Sequence, residues 1–147
     1  LRYDAEHGRD ARTDEMVFEA VRRRLEMAEL LHLVEPHTVR SKFATVTFDH
    51  ALKNGIWHCI QPLSFDSADE DRMLSKAARW VGIMQSIASR QSEVKAYFVT
   101  GAPQDERLLP QYDKMVEFLR ASPMNPVVVD ENNASYIVEV LEEYMTH

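Results

Sequence analysis

Along the chain the hydrophobic positions switch between two periods. Met16, Val17, Ala20, Val21, Leu25, Ala28 and Leu31 recur at helical spacing. That spacing predicts an amphipathic helix, capped by Thr13 or Asp14 and running to about Val34. Glu35-Pro36 should end it, because the residue before a proline disfavours helical dihedrals. The period then drops to two. "KFATVTFD" is rich in β-branched and aromatic residues, Asn54-Gly55 follows as a tight-turn signal, and "IWHCIQPLSF" returns. We read residues 43–48 and 56–65 as an antiparallel hairpin. Pro62 lacks an N–H and marks a bulge, an edge or the strand's end.

"SADE", from Ser67 to Glu70, has the form of a capping box and opens a second helix. Met73, Ala77, Trp80, Val81, Met84 and Ile87 share one side of it. "EVKAYFVTGAP" reads as a strand and turn. "ERLLPQYDKMVEFLRA" reads as a helix with Pro110 in its first turn and Leu108, Leu109, Tyr112, Met115, Val116 and Leu119 inward. "NPVVVDENN" is a short strand. "ASYIVEVLEEYM" is a last helix with Ile137, Val140, Leu141 and Tyr144 on one face. The expected class is α/β, in the order α-β-β-α-β-α-β-α, with a mixed sheet covered by helices on both faces. The last three strands should run parallel through right-handed crossovers.

Composition narrows this picture. At 147 residues, 45% hydrophobic and 28% charged, residues 14–147 suit a single α/β domain. A chain of that size buries roughly two-thirds of its unfolded surface. Cys59 is the only cysteine, which excludes an internal disulfide and a multi-cysteine zinc site. A reducing, cytoplasmic setting fits. No apolar run approaches the roughly 20 residues of a membrane span, so no membrane partner is expected. The opening "LRYDAEHGRDARTDE" lacks apolar period, and residues 1–13 read as a linker or disordered segment following an upstream domain.

Net charge is −7. The basic cluster Arg22-Arg23-Arg24 is flanked by Glu19, Glu26 and Glu29 and reads as a solvated helix face, not a phosphate-binding stripe. Nucleic acid is then expected only through an upstream domain or an enzymatic site. Phe18 and Leu33 fall outside the main apolar stripe of the first helix and point to a helix-mediated dimer.

Gly-rich phosphate loops, nucleophile elbows and H-E-x-x-H are absent. His58 and Cys59 alternate to opposite strand faces, so adjacency does not pair them. Cys59 reads as a buried structural thiol. His50 reads as a solvated residue near the turn; His32 and His37 flank a helix end, where an imidazole caps carbonyls. The carboxyl ends of the expected strands carry Asp66 and Asp69, Thr100 and Gly101, then Asp130, Glu131 and Asn132. Such ends form ligand pockets in parallel sheets. Asp66, Ser67, Asp69 and Asp130 read first as starts of the following helices, where acids meet the positive dipole end.

Asp49 and Gln61 lie on the two arms of the hairpin. With a helix before and a helix and strand after, this order resembles the restriction-endonuclease-like, PD-(D/E)xK fold. The resemblance implies a Mg²⁺ held by Asp49 and Gln61, with Glu19 as the helix carboxylate. Leu63 stands where that family has its lysine, and the next basic residue is Arg72. We therefore expect a non-catalytic binding or oligomerisation domain of a larger bacterial or phage protein. Its partner would be a protein or a second copy, with no cofactor. A Mg²⁺-dependent nuclease is the alternative.

Overall fold

The computed structural model describes residues 10–67 and 69–145. Thr13 caps the first helix, α1 (Asp14–Met27), by accepting from the Met16 amide, and Asp14 and Glu15 meet the positive end of its dipole. α1 buries Val17, Phe18, Val21 and Leu25. It stops well before Val34: Glu29 takes a left-handed φ of 60°, and a short 3₁₀ turn spans Leu31–Leu33. Phe18, expected to be free for a dimer, is buried instead.

Beyond Pro36 the chain does not loop. It forms an unforeseen strand, β1 (Glu35–Arg40), ahead of β2 (Thr45–Asn54) and β3 (Ile56–Ser64). α2 (Glu70–Ser86), β4 (Val94–Gly101), α3 (Leu109–Arg120), β5 (Val127–Asp130) and α4 (Ser135–Met145) follow. The mixed α/β class holds, with one strand more than the pattern predicted. The turn after Asn54 is tight, and only Gly55 takes positive φ there, at 75°. α2 is capped by Asp69, which accepts from the Arg72 amide. Ser67, the expected cap, bonds the backbone of Asp69 instead.

The five strands lie in chain order, β1-β2-β3-β4-β5. β1, β2 and β3 form an antiparallel meander; β3, β4 and β5 run parallel. α2 and α3 cover one face, α1 and α4 the other. Alternation divides the cores. Cys59, Leu63, Ala96 and Phe98 pack under α2 and α3, whereas Leu52, Ile60, Tyr97 and Val99 pack under α1 and α4. No helix among the described residues is long and apolar enough to cross a membrane.

β2 carries a bulge. Glu35 pairs with Ala51 but His37 pairs with Phe48, so Asp49 and His50 together face Pro36. The extra residue puts Phe48 and Ala51 in the same core although they are three apart. It also turns His50 onto the α1 face. There His50 stacks on Phe18 at 3.7 Å between ring centroids, with Nε2 3.3 Å from the Glu15 carboxylate. His50 is thus not a solvated turn residue. His37 does not cap a helix either: it stacks on Trp57 at 3.8 Å. Along the outer edge, Arg90 donates from Nε to the Arg40 carbonyl at 2.8 Å.

His58 is fully buried, with Nδ1 2.8 Å from the Tyr97 hydroxyl and the Tyr144 ring edge-on at 4.6 Å. Its Nε2 makes no hydrogen bond of standard geometry. Burial holds the imidazole below its ordinary 6.5, outweighing the Asn54 backbone, which favours the charged form; Lys95 adds repulsion. The unfolded chain therefore binds this proton more readily. The contribution of His58 to stability is complete above pH 6.5 and is lost as pH falls from there through its folded value. His37, also lowered chiefly by burial, acts in the same sense. The melting temperature should fall between about pH 7.5 and about pH 5, with a shallower slope in His58→Leu. Equal slopes in the two proteins, measured by thermal denaturation, would show that His58 is not responsible.

Candidate functional site

Asp66, immediately after β3, organises the carboxyl end of the sheet. Its carboxylate accepts the Arg12 amide at 2.8 Å, the Gln104 amide at 3.0 Å and the Gln104 side-chain amide. One acid thus joins the approach to α1, the β3–α2 loop and the β4–α3 loop. The Phe65 amide donates to the Gly101 carbonyl at 2.8 Å and closes the frame. Asp69 and Asp130 do the simpler job foreseen for them: each accepts an amide at the start of a helical turn.

Arg12 falls in the stretch expected to be a linker, yet its guanidinium forks onto the Glu131 carboxylate. The side chains are 34% and 15% exposed, so the pair is partly shielded from solvent. The hydrogen bonding to Glu131 raises the Arg12 pKa further. Residues 1–9 of that stretch lie outside the described residues.

A second carboxylate acts across the sheet. Asp14 Oδ1, in the first turn of α1, accepts the Ser64 amide at 2.7 Å and the Lys76 ammonium at 2.6 Å. Lys76 also donates to the Ser64 carbonyl at 2.8 Å. Deeper in, the Thr100 hydroxyl lies 2.6 Å from Tyr112 Oη, and Tyr112 donates to Asp130 at 2.7 Å. Burial raises the Tyr112 pKa, so it stays a neutral donor.

Between these bonded loops opens a cleft of about 1170 Å³. Arg12, Asp14, Asp66, Lys76, Gln104 and Arg107 contribute to its walls, with Arg72 at the rim. The side chains of Arg72 and Arg107 are 76% and 90% exposed, each beside a local aspartate. Arg107 donates from Nε and Nη2 to the Asp105 carboxylate, at 3.1 and 2.9 Å, and Arg72 Nε lies 3.8 Å from Asp69, over a frame that is already hydrogen-bonded.

The structure thus gathers Asp66, Thr100, Gly101, Asp130 and Glu131 at one end of the sheet. Glu19 lies on α1, whereas Asp49 and Gln61 lie on the adjacent strands β2 and β3. Asp49 is exposed in the bulge of β2, away from the turn at Gly55. Gln61 shares the α2–α3 face with its neighbours Cys59 and Leu63, and its amide donates to the Pro62 carbonyl at 2.9 Å. Glu19 rides on α1, over the opposite face, 3.7 Å from Arg23. The sheet thus separates Glu19 from Gln61, whereas Asp49 and Gln61 are the next residues outward from the paired His50 and Ile60. Among the described residues no group of three His, Cys, Asp or Glu side chains is placed to hold a metal ion. Cys59 is buried and burial pushes its thiol up to about 12, which removes it as a nucleophile near neutral pH.

Sequence reasoning missed Arg12, Lys76 and Gln104. Each has a bonding partner 38 or more positions away in the chain. Tyr112 carried a usable signal, because a tyrosine on an inward helix face needs a partner for its hydroxyl. Comparison of the chain with family models, curated proteins and solved structures finds no match.

Gly101 is where this frame is tightest. A Cβ there would sit 2.5 Å from Val17 Cγ2 and 2.9 Å from Glu131 Oε2. Val17 is buried and β-branched, and Glu131 is held by Arg12, so neither yields freely. Gly101→Ala should cost about 1–3 kcal/mol. Chemical denaturation measures that directly, and an unchanged midpoint would mean the Arg12–Glu131 strap is loose.

Proposed function

We propose that this chain is a non-catalytic binding domain whose cleft at the carboxyl end of β3 and β4 takes a charged, extended segment of a protein partner. One observation carries the reading. Arg72 and Arg107 expose their side chains to solvent, the second already forked onto Asp105, over loops fixed by Asp66. Guanidinium forks match carboxylates in charge and geometry, and a frame fixed before binding loses little entropy on association. The openness and polarity of the cleft suit a peptide better than a compact apolar ligand. A buried free thiol at Cys59 accords with a reducing, cytoplasmic location.

Panning a displayed library of random peptides tests this. Carboxylate-bearing peptides should be enriched on the wild type. Arg72→Glu with Arg107→Glu should weaken the selected peptides about tenfold or more, which is about 1.4 kcal/mol. Its melting temperature should hold, because both side chains are exposed. Binding indifferent to this double charge reversal would sink the proposal.

The second reading is Mg²⁺-dependent nuclease activity around Asp49 and Gln61. In its favour, β2–β3 pairing ends at His50 and Ile60, so these residues are the next ones outward. Against it stand the hydrogen bond that the Gln61 side-chain amide donates to the Pro62 carbonyl and Leu63 in place of a cation that would stabilise developing phosphate charge. The negative net charge also opposes encounter with a polyanion. Incubation with DNA or RNA and Mg²⁺ or Mn²⁺ should give no cleavage. Cleavage with Mn²⁺ that vanishes in Asp49→Ala would reverse the order of the two readings.

A further inference from the structure

The β1–β2 hairpin meets the last turn of α2, and the short 3₁₀ turn after it, at a surface of one sign. The Ser41 hydroxyl donates to the Ser86 carbonyl at 2.6 Å, and Arg90 Nε donates to the Arg40 carbonyl at 2.8 Å. Residues 36–48 and 72–92 supply the two sides, and neither stretch contains an Asp or Glu in a chain of net charge −7. Arg40 and Lys42 are exposed on the hairpin. Arg79 is exposed on the side of α2 that carries Ser86, two turns earlier and about 10 Å along the axis. These three cations have no carboxylate partner among the described residues. Lys42 Nζ and the Arg79 guanidinium stand over the rings of Phe43 and Trp80 instead, at 5.0 and 6.0 Å. Arg90 is paired, with Glu93 at 3.1 Å.

The other acids bordering these stretches are Glu35, Asp49 and Asp71. Counted along strand or helix, each is about 12 Å or more from the nearest of the three unpaired cations. That exceeds the Debye length of about 8 Å at physiological salt. α3, with Asp113 and Glu117, packs on the β5 side of α2, and the hairpin lies on the other. The bonds that join the two sides of the patch span 45 and 50 positions, so no run of sequence reveals it.

Such a surface takes an anion, and Phe43 selects which. It is the one large apolar side chain that the hairpin exposes, at 75%. Binding in a bilayer surface needs a broader apolar face than one ring, and an acidic peptide would pair with the cations and leave the ring unused. Nucleobases stack on exposed rings while cations beside them track the phosphates. The exposed hydroxyls of Thr45 and Ser89 add neutral donors of the kind that phosphates accept. We propose that the β1–β2 hairpin and the end of α2 bind single-stranded nucleic acid, with Phe43 stacking on a base and Arg40, Lys42 and Arg79 on the phosphates. The proposal involves neither the cleft nor any cleavage.

Fluorescence anisotropy of labelled oligo(dT) and oligo(U), each of about 15 nucleotides, provides the test. Both should bind, since neither stacking nor phosphate pairing reads the sugar. Affinity should fall with salt at a log–log slope of about −2, as three phosphate contacts to a single strand give. Arg40→Glu with Lys42→Glu should weaken binding about tenfold or more and flatten the slope. Phe43→Ala should weaken it about fivefold or more at unchanged slope, the mark of lost stacking. Arg23→Glu with Arg24→Glu, on α1, should change nothing. All these positions are exposed, and circular dichroism should confirm that each variant is folded. A wild type that ignores both oligomers at low salt, a Phe43→Ala variant that binds like the wild type, a duplex bound as tightly, or an α1 variant weakened equally would each overturn the proposal. So would tighter binding to phosphatidylserine vesicles or to polyglutamate than to the oligomers.

Discussion

The Asp14 carboxylate holds three layers at one point. It sits in the first turn of α1 on one face of the sheet and takes its bonds from the last residue of β3 and from Lys76 of α2 on the other face. A carboxylate oxygen accepts both an amide and an ammonium, and charge assistance makes such bonds stronger than neutral ones. The Ser64 amide and carbonyl are therefore satisfied by side chains, and α1 and α2 are tied to one another through the end of β3. Asp66 repeats the device two residues later for the loops. The carboxyl end of the sheet is thus built from acids that accept backbone amides, and the cleft is the space they leave.

Local physics made much of this fold legible. Gly55 supplies the positive φ of the hairpin turn, and strict alternation along β3 places Cys59 and His58 in opposite cores. The inward stripe of α2 is buried as its period predicts, from Met73 to Met84. These elements are specified by neighbours within a few residues. β1 was illegible because Glu35, Pro36 and Arg40 lack strand character; it exists because β2 offers it a partner. The end of α1 was overrun for a related reason. Leu30, Leu31, Leu33 and Val34 continue an apolar pattern while Glu29, with no glycine to announce it, turns left-handed.

The site was half legible. Topology pointed to the strand ends, and Asp66, Thr100, Gly101, Asp130 and Glu131 are there. Composition did not disclose which acid does what, since Asp69 caps a helix while Asp66 ties loops together. Arg12 and Glu131 are 119 positions apart, a separation at which no periodicity speaks. The bulge at Asp49 and His50 is equally non-local, because it depends on which residues face Pro36. A single inserted residue there reassigns Phe48 from one face to the other.

The edge of the sheet has a consequence for how the chain behaves in a crowded solution. An open strand is a template on which identical segments stack into fibrils, and that growth needs an uninterrupted row of donors and acceptors. β1 interrupts the row at both ends, with a ring nitrogen that bears no hydrogen at Pro36 and a carbonyl already engaged at Arg40. Molecules meeting on the β1 edge would therefore gain fewer bonds than an uninterrupted strand offers, which disfavours growth of the five-stranded sheet from that side.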